Sequence, residues 1–410
     1  MRPTFAIIGA SLAGATAAAT LRQDGFDGDV VLIGAEPQLP YERPPLSKEY
    51  LRGEVPFEKA LVRPADYYGG NRIATLLGVR ATRVNTSERM VEFDTRPPLH
   101  YDKLLIATGA RNRRPPIPGL DLDGVFDLRT VGDADALRAE AVPGRKAVLI
   151  GMGFIGCELA ASLRQKGVEV VAIDPLPAPL FRILGEQVGR VLAALHRQHG
   201  VETVFGDVVA RVEGEGRIGR VVTKEGRRFD CDFAVVGVGV QPAVDLVAGS
   251  GIETGDGILV DEHCRTTVEG VYAAGDAANH YHPALQRRMR VEHWQNAMLQ
   301  GAAAARSMLG TGSPYEPVHW FWSDQYDVNL QYAGFHREVD RIVVRGSLEE
   351  RNVLVFYLNQ GRIDAILALN RGKDLRRAMP LIKARALVDP RQLEDETVDV
   401  RRLAPGEAHG

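Results

Sequence analysis

Two runs of strand, glycine-bearing turn, helix and strand, one opening at Gly9 and the other at Gly151, precede a closing stretch of short alternating strands. Together they predict an α/β chain with two Rossmann-like units and a C-terminal α+β domain. A lone glycine-rich turn matches by chance, whereas two with their flanking strands rarely do. The chain has 410 residues, 45% hydrophobic and 25% charged, which is enough for two or three packed domains and too apolar for disorder. Its formal charge of -3 lacks the basic excess that nucleic-acid binding requires, so no nucleic-acid partner is expected. No apolar run approaches the ~20 residues needed to cross a bilayer. The run Phe5 to Leu12 opens a turn without a signal-peptide pattern. A cytoplasmic protein without membrane contact is expected.

In chain order, Thr4 to Gly9 is a β-branched apolar run that stops at glycine, Ala13 to Leu21 an Ala-rich helix, and Val30 to Gly34 a second strand ending at Glu36. Ile106 to Gly109 close an apolar strand, and the Pro-rich stretch Arg111 to Gly119 suits a crossing between domains. Lys146 to Ile150 is a strand, Gly151 to Gly156 a turn, Glu158 to Gln165 a helix, and Glu169 to Ile173 a strand ending at Asp174. Phe233 to Val238, before Gly239 and Pro242, reads as the return crossing. From Tyr326 onward, Val328 to Ala333, Val339 to Val344, Val353 to Tyr357 and Ile363 to Leu369 read as an antiparallel meander, followed by helical material broken at Pro380.

Each turn carries its own chemistry. In a dinucleotide-binding turn the first glycine permits the bend, the second lets backbone approach a pyrophosphate, and the third lets helix pack on strand. Gly9-Ala10-Ser11-Leu12-Ala13-Gly14 follows this with Ser11 in the middle place, a small residue whose hydroxyl can itself donate to phosphate. Glu36, after the second strand, suits a ribose acceptor. Gly151-Met152-Gly153-Phe154-Ile155-Gly156 is the complete form, and Asp174 stands where a carboxylate accepts from a ribose 2′-hydroxyl and repels a 2′-phosphate. That favours NADH, although Arg182 is near enough in sequence to keep NADPH open.

The segment Thr267 to Asp276 joins a strand to Gly275-Asp276, and Ala107 to Ala110 reads ATGA. With the two turns, these residues resemble flavoproteins with two dinucleotide-binding domains, of glutathione-reductase-like architecture. The resemblance implies FAD on the first unit and NAD on the second. Finer likeness comes from Tyr41-Glu42-Arg43-Pro44-Pro45-Leu46-Ser47-Lys48, Arg290-Val291-Glu292-His293-Trp294 and Trp320-Phe321-Trp322-Ser323-Asp324-Gln325. These resemble the oxygenase-coupled NADH-dependent ferredoxin reductases, relatives of putidaredoxin reductase and of the reductase components of aromatic-ring dioxygenases. Three domains follow: an FAD domain over residues 1–110 and 243–318, an NAD domain over 111–242, and a C-terminal α+β domain over 319–410.

The same resemblance assigns roles. Gly9, Ser11, Ala13, Gly14, Glu36, Arg43, Lys48, Val84, Thr108, Gly109, Arg129, Gly275, Asp276, Glu292 and Trp294 are expected to bind FAD or line its pocket. Gly151, Gly153, Ile155, Gly156, Glu158, Asp174, Arg182 and Gly239 are expected at the NAD site. Lys48, Glu158 and Trp322 are expected at the hydride-transfer centre, with Lys48 paired to Glu158 and Trp322 beside the flavin. Core packing stays open for Trp322, and more so for Trp320. Related disulfide reductases keep a flavin-facing cysteine, but Gln38 to Tyr50 contains none. The three cysteines, Cys157, Cys231 and Cys264, read as reduced, buried residues, with Cys157 packing against its sheet. Without a thiol relay, a reduced flavin releases its electrons singly, which suits a [2Fe-2S] ferredoxin feeding a cytochrome P450 or Rieske oxygenase. Arg287, Arg288 and Arg290 are expected to form a positive rim for that partner, against the plainer reading of a solvated loop. His196, His199, His280 and His282 assemble no metal set, the last two reading as loop residues. A peroxide- or oxygen-reducing NADH oxidase and a redox-sensing protein resembling apoptosis-inducing factor stay as rivals. Monomer and homodimer are both open.

Overall fold

The computed structural model describes residues 2–403, which group into two compact units. The first comprises Met1–Arg43, Pro56–Arg111 and Val240–Pro317; the second comprises Pro44–Val55, Asn112–Gly239 and Val318–Gly410. The short piece Pro44–Val55 thus groups with the second unit, whereas the sequence boundaries leave it inside the first.

In the first unit a parallel sheet runs in the order Val271–Ala273, Lys103–Ile106, Thr4–Ile8, Asp29–Gly34, Ile73–Leu77. Its central strands are almost wholly apolar because a parallel sheet is covered on both faces. The helix Leu12–Gln23 buries Ala13, Ala15, Ala17, Ala18 and Ala19, small side chains that allow a close helix neighbour. That neighbour is Trp294–Leu309, where a Cβ on Gly301 would stand 2.3 Å from the Ala13 carbonyl oxygen. The two backbones therefore meet directly under the first glycine turn.

The second unit repeats the pattern with Val201–Phe205, Glu169–Asp174, Lys146–Ile150, Phe233–Val236 and Val125–Phe126, all parallel. Its C-terminal part is an antiparallel sheet ordered Trp320–Gln325, Val328–Gly334, Arg362–Leu369, Asn352–Asn359, Arg341–Ser347, with the helix Gly372–Lys383 beside it. The two sheets share one core, in which Leu149, Cys157 and Leu159 cluster with Phe321, Leu330, Tyr332 and Val355. Phe154 and Phe321 meet edge to face at 4.7 Å between ring centroids.

The structure corrects several expectations. The meander has a fifth strand, Trp320–Gln325, whose alternation of half-buried and buried residues marks it as β despite its polar positions. Pro380 does not break its helix but lies inside Gly372–Lys383. Both Pro380 and Arg376, the residue whose carbonyl loses its helical partner, are on the exposed side, so the missing bond is not buried. The helix expected from Glu158 begins at Phe154, so half of the second glycine turn is already helical. His280 and His282 are buried on the strand Ala278–His282 rather than in a loop. No helix among the described residues is long and apolar enough to cross a membrane.

Candidate functional site

The first glycine turn is built by close backbone approach. Gly9 has φ +118°, and a Cβ there would lie 2.0 Å from the Ala107 carbonyl oxygen; on Gly14 it would lie 2.0 Å from the Gly9 carbonyl oxygen. Ser11 stands at the helix N-cap in extended conformation and makes no side-chain cap bond, so its hydroxyl is not engaged by the helix. Ala13 packs beneath Gly275, which has φ +76°. Thr108 Oγ1 donates to the Ala243 carbonyl at 2.7 Å, and the Gly109 carbonyl accepts the Ala243 amide at 3.0 Å. Asp276 follows in the turn Gly275–Ala277 and is half-buried.

Glu36 lies in a polar cluster. One of its oxygens accepts from Arg43 Nη2 at 3.0 Å, and the other accepts the Tyr41 hydroxyl. The Arg43 guanidinium lies 5.4 Å from the centroid of the Tyr41 ring. The Glu36 side chain keeps 31% of its surface accessible, which leaves it available to a ligand. Nearby in sequence, burial pushes the Glu42 carboxyl up, with the Trp294 indole working in the opposite direction. Val84 is 1% exposed and packs in the core, so its backbone is what it can offer a ligand.

One residue of this region has no signal in the sequence. Gln300, fully buried, accepts the Gly275 amide at 2.8 Å through Oε1, while its Nε2 has no hydrogen-bond partner. An orphaned buried donor beside the Gly275 turn is what a bound acceptor group would satisfy.

The second turn repeats the first and opens further. A Cβ on Gly151 would lie 2.5 Å from the Gly237 carbonyl oxygen, and one on Gly156 would lie 2.1 Å from that of Gly151. At Gly153, by contrast, an added Cβ meets nothing within 4 Å. The protein itself does not require glycine there. The open volume at the head of the helix Phe154–Gln165, where amides point outward, fits a pyrophosphate. Ile155 and Val238, 44% and 39% exposed, are apolar residues left uncovered at this turn; Val238 was not picked out from the sequence. Gly239 has φ +99° and open space around it. Arg182 is exposed on the helix Phe181–Gln198. Asp174 differs from a free ribose acceptor: it is 8% exposed, and its two oxygens accept the Met152 amide at 2.7 Å and the Leu176 amide at 2.8 Å. It therefore holds the turn, leaving only its remaining lone pairs for a ligand.

Lys48 and Glu158 are brought together. The Lys48 ammonium is 3.0 Å from Glu158 Oε2, and the two residues are 7% and 4% exposed. Ser47 donates to the same oxygen, and Ser323 Oγ donates to Oε1 at 2.8 Å. A buried ion pair is tolerable only when its remaining lone pairs are satisfied, and here both carboxylate oxygens are. Both serines stand in motifs quoted from the sequence, but neither was given a role there. Trp322, half-buried, stacks on Trp320 at 5.4 Å. Arg129 is half-buried in this unit, its amide donating to Asp133 at 3.0 Å.

Two of the three clustered arginines are engaged within the protein. Arg290 is held between Asp256, at 2.9 Å, and Glu292. Arg288 donates to the carbonyls of Val260 and Asn279 at 2.8 and 3.2 Å. The reason is local: Arg287–Arg290 is a strand paired with Ala278–His282, so its side chains alternate between the two faces of that sheet. Cys157, Cys231 and Cys264 are free and buried. Burial pushes all three thiols up, that of Cys231 to about 12. No group of three or more His, Cys, Asp or Glu among the described residues is arranged to hold a metal ion.

Comparison with known proteins adds the rest. Residues 3–301 match the family "Pyridine nucleotide-disulphide oxidoreductase", and residues 320–404 match "Reductase C-terminal". The anthranilate 1,2-dioxygenase system ferredoxin–NAD(+) reductase component of Burkholderia cepacia is 40% identical over 399 residues, covering 97% of this chain and 98% of that protein. Rhodocoxin reductase of Rhodococcus erythropolis is 36% identical over 399 residues, covering 97% and 93%. Among solved structures, the covalent putidaredoxin reductase–putidaredoxin complex matches with a TM-score of 0.96 and 32% identity, covering 99% of each chain.

Proposed function

Since the chain belongs to the pyridine nucleotide-disulphide oxidoreductase family, we propose that it is a cytoplasmic NADH-dependent reductase of a [2Fe-2S] ferredoxin that supplies a P450 or Rieske oxygenase. When bound, FAD supplies the conversion of one hydride from NADH into two single-electron transfers. Three free thiols suit a reducing compartment. The observation that carries the reading is that the segment running through Ser47 and Lys48 presents a hydroxyl and an ammonium to Glu158 and no sulfur, while every thiol is buried and held protonated. No residue of the described chain is placed to store the electron pair as a disulfide.

In this reading Gly9, Ser11, Ala13, Gly14, Thr108, Gly109, Gly275 and Asp276 cradle FAD by backbone approach, with Gln300 Nε2 and the Glu36–Arg43 pair as polar contacts. Gly153 leaves room for the NADH pyrophosphate, with Ile155 and Val238 against the apolar faces of the nucleotide. Lys48 and Glu158 hold the nicotinamide in the attacking geometry without accepting a proton, because hydride transfer needs no general base. Asp174 disfavours a 2′-phosphate. The test is anaerobic reduction of the purified yellow protein by NADH, followed by cytochrome c reduction with and without ferredoxin. Acceleration by ferredoxin is expected, and a rate indifferent to it sinks the function. Rapid peroxide turnover would favour the oxidase rival instead.

The ferredoxin docks, in this proposal, near Arg287, Arg288 and Arg290, where two carboxylates already neutralise Arg290. Charge reversal, Arg287→Glu with Arg288→Glu, is expected to raise KM for ferredoxin about tenfold and flatten its salt dependence. An unchanged salt response removes the docking face from the proposal.

A further inference from the structure

Glu158 is the end of a hydrogen-bond chain longer than the ion pair requires. Ser323 Oγ, which donates to Glu158 Oε1 at 2.8 Å, is 3.3 Å from Gln325 Nε2. Gln325 Oε1 is 3.2 Å from His196 Nε2, and His196 Nδ1 is 3.3 Å from the Tyr326 hydroxyl. Ser323, Gln325 and His196 are 0, 1 and 0% exposed. Three separate stretches of the second unit converge here: the helix Phe154–Gln165, the helix Phe181–Gln198 and the strand Trp320–Gln325.

The direction of every bond follows from the first. A carboxylate paired with Lys48 only accepts, so Ser323 must donate to it, and the Ser323 oxygen must in turn accept from Gln325. That orients the Gln325 amide with its oxygen toward His196, which must then carry its hydrogen on Nε2. His196 Nδ1 is left to accept from Tyr326. Burial supports each protonation state, holding His196 down at about 4 and therefore neutral, and Tyr326 up and therefore protonated. His199 stacks flat on Tyr326, with ring centroids at 3.6 Å, and fixes the far end.

We infer that Ser323, Gln325 and His196 are positioning residues that hold the Glu158 carboxylate in one orientation against Lys48, so that the pair keeps a fixed geometry. An amide neither gains nor loses a proton readily, so Gln325 interrupts any proton path through the chain while transmitting its dipole. All donors point toward Glu158, and aligned donors in a dry interior reinforce one another. The chain thereby sets where the Lys48 ammonium sits, which is the property hydride alignment depends on. The inference rests on the proposed role of the Lys48–Glu158 pair in hydride transfer.

The test compares Ser323→Ala, Gln325→Met, Glu158→Gln and the double variant Ser323→Ala/Glu158→Gln in the FAD-loaded protein. Anaerobic stopped-flow bleaching of the flavin by NADH gives the limiting rate and the apparent Kd, and 15N NMR of the resting protein reports which His196 nitrogen is protonated. Ser323→Ala and Gln325→Met are each expected to lower the limiting rate ~10-fold with apparent Kd changed less than about twofold. Ser323→Ala should cost nothing further once Glu158→Gln is present, because its effect passes through the carboxylate. The NMR spectrum should show neutral His196 with hydrogen on Nε2, and Gln325→Met should shift that resonance. A full rate in Glu158→Gln alone defeats the role proposed for the ion pair. If Glu158→Gln is slow, wild-type rates in both other single variants, or an equal loss from Ser323→Ala in either background, overturn the positioning role. Hydrogen on Nδ1 reverses the chain and overturns it as well. Gln325→Met, which replaces an amide by a side chain of similar volume, keeps the test intact if Ser323→Ala folds poorly.

Discussion

The two glycine turns share one scaffold but use its acidic residue in opposite ways. Around Gly9 the carboxylate of Glu36 stays partly accessible and is gathered by Tyr41 and Arg43, side chains of a loop. Around Gly151 the carboxylate of Asp174 is buried and bound by two backbone amides, that of Met152 in the turn and that of Leu176 just after its own strand. The middle position differs too: Ser11 carries a hydroxyl that makes no cap bond to its helix, and at Gly153 an added Cβ would meet nothing within 4 Å. The outer glycines, by contrast, are set by steric necessity in both. The difference teaches that a shared motif contains positions fixed by the fold and positions fixed by the ligand, and that the same acid can belong to either class.

This division can be broken experimentally. The largest effect is expected at the outer glycines: Gly14→Ala and Gly156→Ala each force a methyl into a carbonyl oxygen and should cost about 3 kcal/mol in urea unfolding, alike in the two units. A mild effect at either would show that its turn relaxes. Next, Asp174→Asn places an NH2 opposite a backbone amide and should destabilise the second unit by about 2 kcal/mol, whereas Glu36→Gln should leave stability nearly unchanged and release FAD more readily on dialysis. Equal destabilisation by both would erase the contrast between the two acids. Gly153→Ala touches no protein atom, so its melting temperature should match the parent while KM for NADH rises about tenfold, a purely ligand-borne penalty of ~1.4 kcal/mol. The smallest effect is a null one. Because burial raises all three thiol pKa values, the thiols remain protonated at neutral and mildly alkaline pH, and N-ethylmaleimide should leave NADH-driven turnover intact. Loss of activity in step with thiol labelling would restore a sulfur relay.

Much of the fold was legible because its signals are local. Strands such as Lys146–Ile150 end where a glycine must take positive φ, and Gly151 meets that need at +104°. The strand Trp320–Gln325 escaped notice because Ser323, Asp324 and Gln325 look like surface residues until Glu158 and His196 supply their partners. Those partners lie more than a hundred residues away in sequence, and nothing in the spacing announces them. Gln300 was hidden in the same way, as a polar residue in an Ala-rich helix whose purpose appears only when the Gly275 amide is seen beside it. Pro380 misled for a different reason, and the arginine cluster is more engaged than its composition suggests. Their residue types suggest a break and a charged rim, but an exposed helix face tolerates the proline, and Asp256 and Glu292 cancel the charge of Arg290.

The grouping of Pro44–Val55 with the second unit bears on how such enzymes can be recombined. A chimera that exchanges only residues 112–239 with a relative, in order to alter donor preference, imports a foreign carboxylate at the place of Glu158 but keeps the native Ser47 and Lys48 facing it. The transplantable module is discontinuous, and a graft that leaves its small N-terminal piece behind separates the ammonium from the acid it pairs with.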